Sequence, residues 1–337
     1  MRVLHRVLAC VVCTAILASL LGTLFALHLT MLPVRTPGKK VHVHISPGQS
    51  LAHIASTLEE KNVIDNPRLF QLLAWAFGLS SKLQAGEFQV DTRWSRLKIL
   101  RTLATGSHVL YSIRIPEGLT WWQTAEVVAQ SGLTTYEAFK NAVHDRELLQ
   151  EFHIPADNAE GYLFPETYRL PRPPGNRAEP IVRLMLQEFY KQIQTTLWPQ
   201  GLPDPQEVHN LVILASLVER ETAQPDERRT VAGVFVNRLQ RGMRLQCDPT
   251  VIYGLERSFD GKLTKKQLRD ADNSYNTYTH SGLPPGPICS PGLASMLATK
   301  DPEEHEYLYF VSQGDGSHYF SRTLQEHNRA VRRYLLR

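Results

Sequence analysis

The 337 residues suffice for about two domains beyond any targeting segment. With 42% hydrophobic and 21% charged residues, the composition is that of a globular protein. The formal net charge is only +4 and no long block of Lys or Arg occurs, which excludes nucleic acid as the main partner.

Between Arg6 and Arg35 there is no Asp, Glu, Lys or Arg. Residues 8–32 are therefore read as one transmembrane helix, followed by a linker over 33–40. A cleaved signal peptide is the alternative, but the run is long and lacks an A-x-A site. Val7-Leu8-Ala9-Cys10 has the look of a lipobox, yet it precedes the apolar run, so lipidation is rejected. Arg2 and Arg6 on one side and Arg35, Lys39 and Lys40 on the other do not set an orientation.

Val41 to Ile45 alternates like a strand, and Pro47-Gly48-Gln49-Ser50 supplies a turn and an N-cap for a helix reaching about Glu60. A second helix is expected over Arg68–Phe77, a returning strand over Gly86–Val90 and a third helix over Ser95–Leu103. Ile45, Gly48, Ser50 and Ala55 recur seventy positions on as Ile115, Gly118, Thr120 and Ala125. Each copy reads as strand, glycine turn, hydroxyl cap and helix. The first copy resembles a LysM-like glycan-binding module; common strand-turn-helix architecture is the alternative. Tyr136–Asp145 adds a helix. A domain boundary is placed near Gly161–Tyr168 and the proline-rich loop Pro171–Pro174.

Beyond it, Glu179–Leu197 is amphipathic. Leu211 to Val218 is apolar on nearly every helical face, the pattern of a helix buried among other elements. Two carboxylates, Glu219 and Glu221, end it, and Pro225 should stop it after Gln224. Residues two apart on a helix point about 200° apart, so one cleft sees only one of them. Glu221 follows Leu217 and Val218 by one turn, whereas Glu219 follows Ala215 and Ser216. Greasier surroundings raise a carboxyl pKa and suit a general acid. An ion pair of either residue with Arg220, Arg228 or Arg229 is the structural alternative.

A further helix starts near Pro225 and runs to about Gln240, with Gly242 past its end. Asp248-Pro249 is read as a turn. Loops around Asn276, Tyr278 and Ser281–Pro287 offer aromatic, amide and hydroxyl groups suited to sugars, or simply cover a small domain. A hairpin is expected around Gly314-Asp315-Gly316, and a closing helix over His327–Leu336. Cys247 and Cys289 stand apart, with no CxxC or Cys/His cluster, so no metal site is expected. They are either disulfide-bonded or free.

Six ordered motifs carry a family resemblance: EGYLFPETY from Glu160, LASLVERETA from Leu214, VFVNRL from Val234, MRLQCDPTVIYG from Met243, YNTYTHSGLPPGPICSPG from Tyr275 and YLYFV from Tyr307, after the N-terminal anchor. The chain resembles the YceG-like endolytic murein transglycosylases. Two departures stand out, Cys247 in place of a Thr and Cys289 in place of a small residue, and neither removes a carboxylate. The resemblance implies cleavage of the MurNAc–GlcNAc bond in peptidoglycan strands with 1,6-anhydro-MurNAc ends, no cofactor, and termination of nascent strand elongation. It implies Glu221 as the catalytic acid and base. Glu219 is the reserve acid, and Gln246, Asp248, Asn276 and Tyr278 are the expected substrate-positioning residues. It further implies peptidoglycan synthases as partners, and a single-pass inner-membrane protein with residues 1–7 cytoplasmic and the rest periplasmic. The expected fold is α+β: the transmembrane helix, a LysM-like α/β subdomain over 41–107, a connecting α/β region over 108–159, and a mixed α+β catalytic domain over 160–337. A hydrolytic muramidase using Asp248 to activate water, and a non-catalytic glycan-binding scaffold, are the rival functions.

Overall fold

The protein is described by a computed structural model covering residues 11–24, 33–34, 37–106 and 108–336. It opens on a helix, α1 (11–24), without a polar face; Ile16, Leu17, Leu20, Leu21 and Leu24 are all exposed. The expected span over 8–32 runs past both ends of α1, into residues outside those described. No helix among the described residues is long and apolar enough to cross a membrane.

After α1 the chain forms two compact units, both mixed α and β. The first takes the described residues up to Tyr111, with Arg169–Gly175. Alternation in KVHVHI turns Val43 and Ile45 inward on β1 (Lys40–Ile45), which pairs antiparallel with β2 (Gly86–Asp91), Val43 opposite Phe88. Between them lie α2 (Leu51–Glu60), capped by the Ser50 hydroxyl on the His53 N–H, and α3 (Pro67–Ala76), capped by Asn66 with Pro67 in its first turn. Helix α4 (Arg96–Thr105) comes next, with Ser95 as its cap. Ile54, Leu58, Phe70, Phe88, Ile99 and Leu103 fill the core. A bidentate pair from Arg96 to Asp65, with bonds of 2.6 to 3.2 Å, ties α4 to the loop before α3. Residues 169–175 join this unit because Arg172 pairs with Glu87 at 3.4 Å and lies over the Tyr111 ring.

The second unit comprises Ser112–Tyr168 and Asn176–Arg337. It starts within β3 (Tyr111–Arg114) and continues through α5 (Trp121–Gln130), α6 (Tyr136–Val143), α7 (Arg146–Glu151) and β4 (Thr167–Leu170), the partner of β3. The seventy-residue echo has a physical counterpart here. Gly48 and Gly118 adopt φ of +78° and +77°, Ser50 and Thr120 both cap the helix after them, and Ala55 and Ala125 are both fully buried. The left-handed glycine lets the chain reverse from strand into helix within a few residues.

The remaining elements are α8 (Glu179–Thr196), α9 (Pro205–Glu221), α10 (Arg228–Gln240), α11 (Asp248–Leu255), α12 (Leu293–Lys300), the hairpin β5 (Tyr309–Ser312) with β6 (His318–Ser321), and α13 (Leu324–Tyr334). The division between units falls at Tyr111/Ser112, ahead of residue 160 where the sequence places the start of the catalytic domain. Residues 112–159 fold with the helices beyond residue 176 because α6 packs on α8, and the segment closes on itself where the Ala159 N–H bonds the Val143 carbonyl.

Two sequence expectations are corrected. Helix α9 ends at Glu221 rather than Gln224, because Thr222 leaves the helix for an extended conformation and its hydroxyl accepts the Gln224 N–H. Asp248-Pro249 starts α11 instead of making a turn, since a proline in the first turn has no N–H to satisfy. Helices α7 and α12 have weak sequence signals; α7 is only six residues long and α12 has no side-chain cap.

Glu160 closes this part of the unit. It is 2% exposed, and its carboxyl accepts the Trp121 and Gly161 N–H groups and the Tyr253 hydroxyl, joining the start of α5 to α11. Burial outweighs these bonds and pushes its pKa up to about 8. Folding therefore takes up a proton between an ordinary carboxyl pKa and about 8. The contribution of this group to stability is full below the unfolded pKa and is lost as pH rises through the folded one. The melting temperature should fall from pH 5 to pH 8 more steeply in the wild type than in Glu160→Gln. Equal slopes in thermal melts would refute this.

Candidate active site

Helix α9 starts on Pro205 with the Asp204 side chain accepting the Gln206 N–H. Residues 212–218 present no face to water: Val212, Ala215, Ser216, Leu217 and Val218 are fully buried. The one hydroxyl among them is satisfied twice. Ser216 Oγ donates to the Ile213 carbonyl and accepts the Ile288 N–H at 3.0 Å. Cys289 Sγ donates to the Ser216 carbonyl, so the 288–289 strip is stitched along α9 and both Cys247 and Cys289 are free thiols.

The helix end separates the two glutamates as its geometry requires. Glu219 Oε2 accepts the Gly292 N–H at 3.0 Å, at the start of α12. Its charge helps raise the pKa of neighbouring Glu117, after burial. Glu219 thus serves as the anionic cap that α12 lacks in its own sequence. Glu221 lines a different space, a cavity of about 400 Å³. Burial raises its pKa first, and the Asp248 charge adds to this; a bond from the Cys247 thiol and the charges of His318 and Arg238 oppose them. The carboxyl keeps some access to the cavity while most of its surroundings are protein.

Of the expected positioning residues, the structure brings Gln246, Asp248 and Tyr278 to the same cavity. Tyr278 donates its hydroxyl to Asp248 Oδ1 at 2.6 Å, so Asp248 is engaged with a neighbour in the cavity lining rather than with its own backbone. That bond and burial drive the Tyr278 pKa up, burial being the larger cause. Gln246 is held at φ +51°, a left-handed conformation worth about 1–3 kcal/mol of strain in a non-glycine residue. Asn276 has a different place. It is fully buried, its Nδ2 donates to the Gln267 and Asp270 carbonyls, and its Oδ1 accepts the Tyr278 N–H. It shapes the loop that presents Tyr278 and does not line the cavity.

Sequence reasoning missed the rest of the lining. Arg238, Tyr309, Phe310 and His327 belong to it, with Leu324 and Val331 of α13. Arg238 is 7% exposed; its Nε donates to the Leu308 carbonyl at 2.6 Å and its Nη1 to the Leu245 and Arg244 carbonyls. Its guanidinium lies over the Tyr309 ring. Burial pulls its pKa down. An arginine inside the apolar pattern of VFVNRL was the available signal. His327 stacks on Tyr309, and its buried Nδ1 has no hydrogen-bond partner among the described residues.

A carboxyl whose pKa is raised by burial, with an arginine, tyrosine hydroxyls, an amide and a second carboxyl group around one cavity, is the equipment of an acid–base catalyst acting on a polar ligand such as a sugar. The sequence matches the YceG-like family over residues 43–333, and the chain belongs to that family. It is 32% identical over 319 residues to the endolytic murein transglycosylase of Bacillus subtilis (strain 168), covering 90% of this chain and 87% of that one. It is 30% identical over 341 residues to the protein of the same name from Streptococcus pneumoniae serotype 2, covering 90% of this chain and 60% of the longer relative. The crystal structure of a yceG-like protein, lmo1499, from Listeria monocytogenes superposes with a TM-score of 0.56 at 31% identity, over 87% of this chain and 99% of that one.

Replacing Arg238 with Met keeps the volume but leaves three backbone carbonyls, of Leu308, Leu245 and Arg244, without their donor. Stability should fall by about 3 kcal/mol, since buried acceptors are costly to leave unpaired. Urea unfolding gives the number, and a loss under about 1 kcal/mol would deny Arg238 this bracing role.

Proposed function

We propose that the chain is an endolytic murein transglycosylase that cleaves the MurNAc–GlcNAc bond within peptidoglycan strands and leaves 1,6-anhydro-MurNAc ends. The observation that carries this reading is Glu221: a carboxyl set into the cavity wall with its pKa raised by burial, the direction a general acid requires. The names of the Bacillus and Streptococcus relatives agree with it.

The chemistry then closes on one residue. Glu221 gives its proton to the glycosidic oxygen as the bond to MurNAc C1 breaks. The resulting carboxylate takes the proton of the MurNAc C6 hydroxyl as that oxygen bonds to C1. Glu221 ends protonated, and no water is consumed. An intramolecular hydroxyl has an effective concentration that reaches about 10⁵ M or more, so no second carboxylate is needed to place a nucleophile. Gln246, Asp248 and Tyr278 position the sugar from one wall, and Arg238, Tyr309 and His327 from the other.

One observation favours a second reading. Asp248 faces the same cavity as Glu221, and a hydrolytic muramidase would use such a carboxylate on a water. A scaffold that only binds glycan would need neither acid.

The uncharged α1, with its leucines exposed, supports anchoring to a membrane in the cell envelope, because such a helix has no favourable place in water; the family resemblance supplies the periplasmic side. The strand-helix-helix-strand order of the first unit supports a LysM-like role in holding glycan for the cavity. Peptidoglycan synthases are the proposed partners, and release of growing strands the proposed task.

Mass spectrometry of products from purified protein and peptidoglycan separates the readings. Anhydro ends are expected; hydrated, reducing ends would make this a muramidase. Glu221→Gln keeps the size of the side chain and removes its proton, so cleavage should drop about 10²–10⁴-fold. Glu219→Gln should lose far less. A dead Glu219→Gln beside an active Glu221→Gln would reverse the assignment.

A further inference from the structure

One face of α13 stands in the cavity with a composition unlike the rest of the helix. Leu324, His327, Val331 and Leu335 follow one another at intervals of three, four and four residues, which places them on one helical face. All four line the cavity. Apart from this stripe and the buried Ala330, α13 consists of Gln, Glu, Asn, Arg and Tyr. Leu324 and Leu335 are each 55% exposed, so the stripe keeps much apolar surface uncovered. A single imidazole interrupts it.

That imidazole is fixed in orientation. It stacks on the Tyr309 ring, with 5.3 Å between centroids and 27° between planes. Its Nδ1 is buried and has no hydrogen-bond partner among the described residues. A buried N–H without an acceptor is a rarer defect than a bare lone pair, so the hydrogen of the neutral ring is assigned to Nε2. Burial, and after it the Arg238 charge, lower the His327 pKa, which favours that neutral ring. The cavity thus receives one N–H donor set among alkyl side chains.

Sugar hydroxyls both give and accept hydrogen bonds, and they gain nothing from an alkyl stripe. A 2-acetamido group matches this face on both counts: its carbonyl accepts one N–H, and its methyl needs apolar cover. We propose that this face of α13 is the subsite for a 2-acetamido group of the glycan, with His327 Nε2 donating to the carbonyl and Leu324, Val331 and Leu335 covering the methyl. His327 is then the residue that tells N-acetylated strands from de-N-acetylated ones. The inference rests on the cavity of Glu221 being the sugar site.

The test compares kcat/KM on isolated glycan strands with kcat/KM on the same strands after de-N-acetylation. It is run for the wild type, His327→Phe, His327→Ala and His327→Gln, with folding followed by circular dichroism. The wild type should prefer acetylated strands. His327→Phe keeps a ring on Tyr309 but has no donor, so the preference should shrink about tenfold, through KM rather than kcat. His327→Ala should shrink it at least as much, and His327→Gln, which keeps an N–H, should shrink it less. A histidine that only packs would slow both strands alike and leave the preference unchanged in the variants, and that result would overturn the proposal. So would a wild type that treats the two strands equally, or failure of both donor-less variants to fold. If the wild type cleaves neither strand, the reading of the chain as a transglycosylase has failed instead, and the ratio of Kd values for the two strands decides the role of His327.

Discussion

Everything in the second unit depends on burying residues 212–218 of α9 from all sides. A helix without a polar stripe is insoluble alone, and it becomes tolerable only when α10, α11, α12 and the 288–289 strip close around it. That enclosure has a chemical by-product. The last turn of the helix must carry its side chains out through a wall of protein, and a carboxyl placed there is deprived of water without being fully hidden. Glu221 occupies that position. The reactivity of the site is in this sense a consequence of how the core is packed.

The same helix end distributes two nearby acids into two roles. Glu219 meets a free N–H at the start of α12 and spends its charge on it. Glu221 meets a thiol, a carboxylate and a distant arginine, and its charge is opposed more than it is supported. A shift of one residue along α9 would disturb both environments. The early end of the helix at Thr222 matters for the same reason: it frees a hydroxyl and turns the chain towards Glu227, and it fixes which acid is last.

The sequence made the local part of this legible. Caps at Ser50 and Thr120, the alternation of β1, the echo between Gly48 and Gly118 and the apolar run of α9 are all short-range signals, and the structure carries each of them. Choosing Glu221 over Glu219 as the cavity-facing acid needed only helix geometry and the identity of the preceding turn. What stayed hidden was long-range. Arg238 reads as one charge on a helix until Leu308, seventy residues away, accepts its proton. His318 and Glu227 are ninety-one residues apart, and nothing near either one announces the other. Asn276 offers an amide, as sugar-binding loops do, but its bonds to Gln267 and Asp270 direct it inward. Asp248 misleads because an Asp-Pro pair suits a turn and a helix start equally well.

The cavity draws its walls from Glu221 at one extreme and from Leu324, His327 and Val331 of α13 at the other. Residues more than a hundred positions apart therefore have to be in place together before the cavity exists. Shaping the acid at the end of α9 is a local matter of core packing, whereas the cavity in front of it is a long-range one. For an enzyme whose substrate is the polymer that keeps a cell intact, this division is a safeguard: a chain that has lost its α13 wall keeps its acid without a complete place to use it.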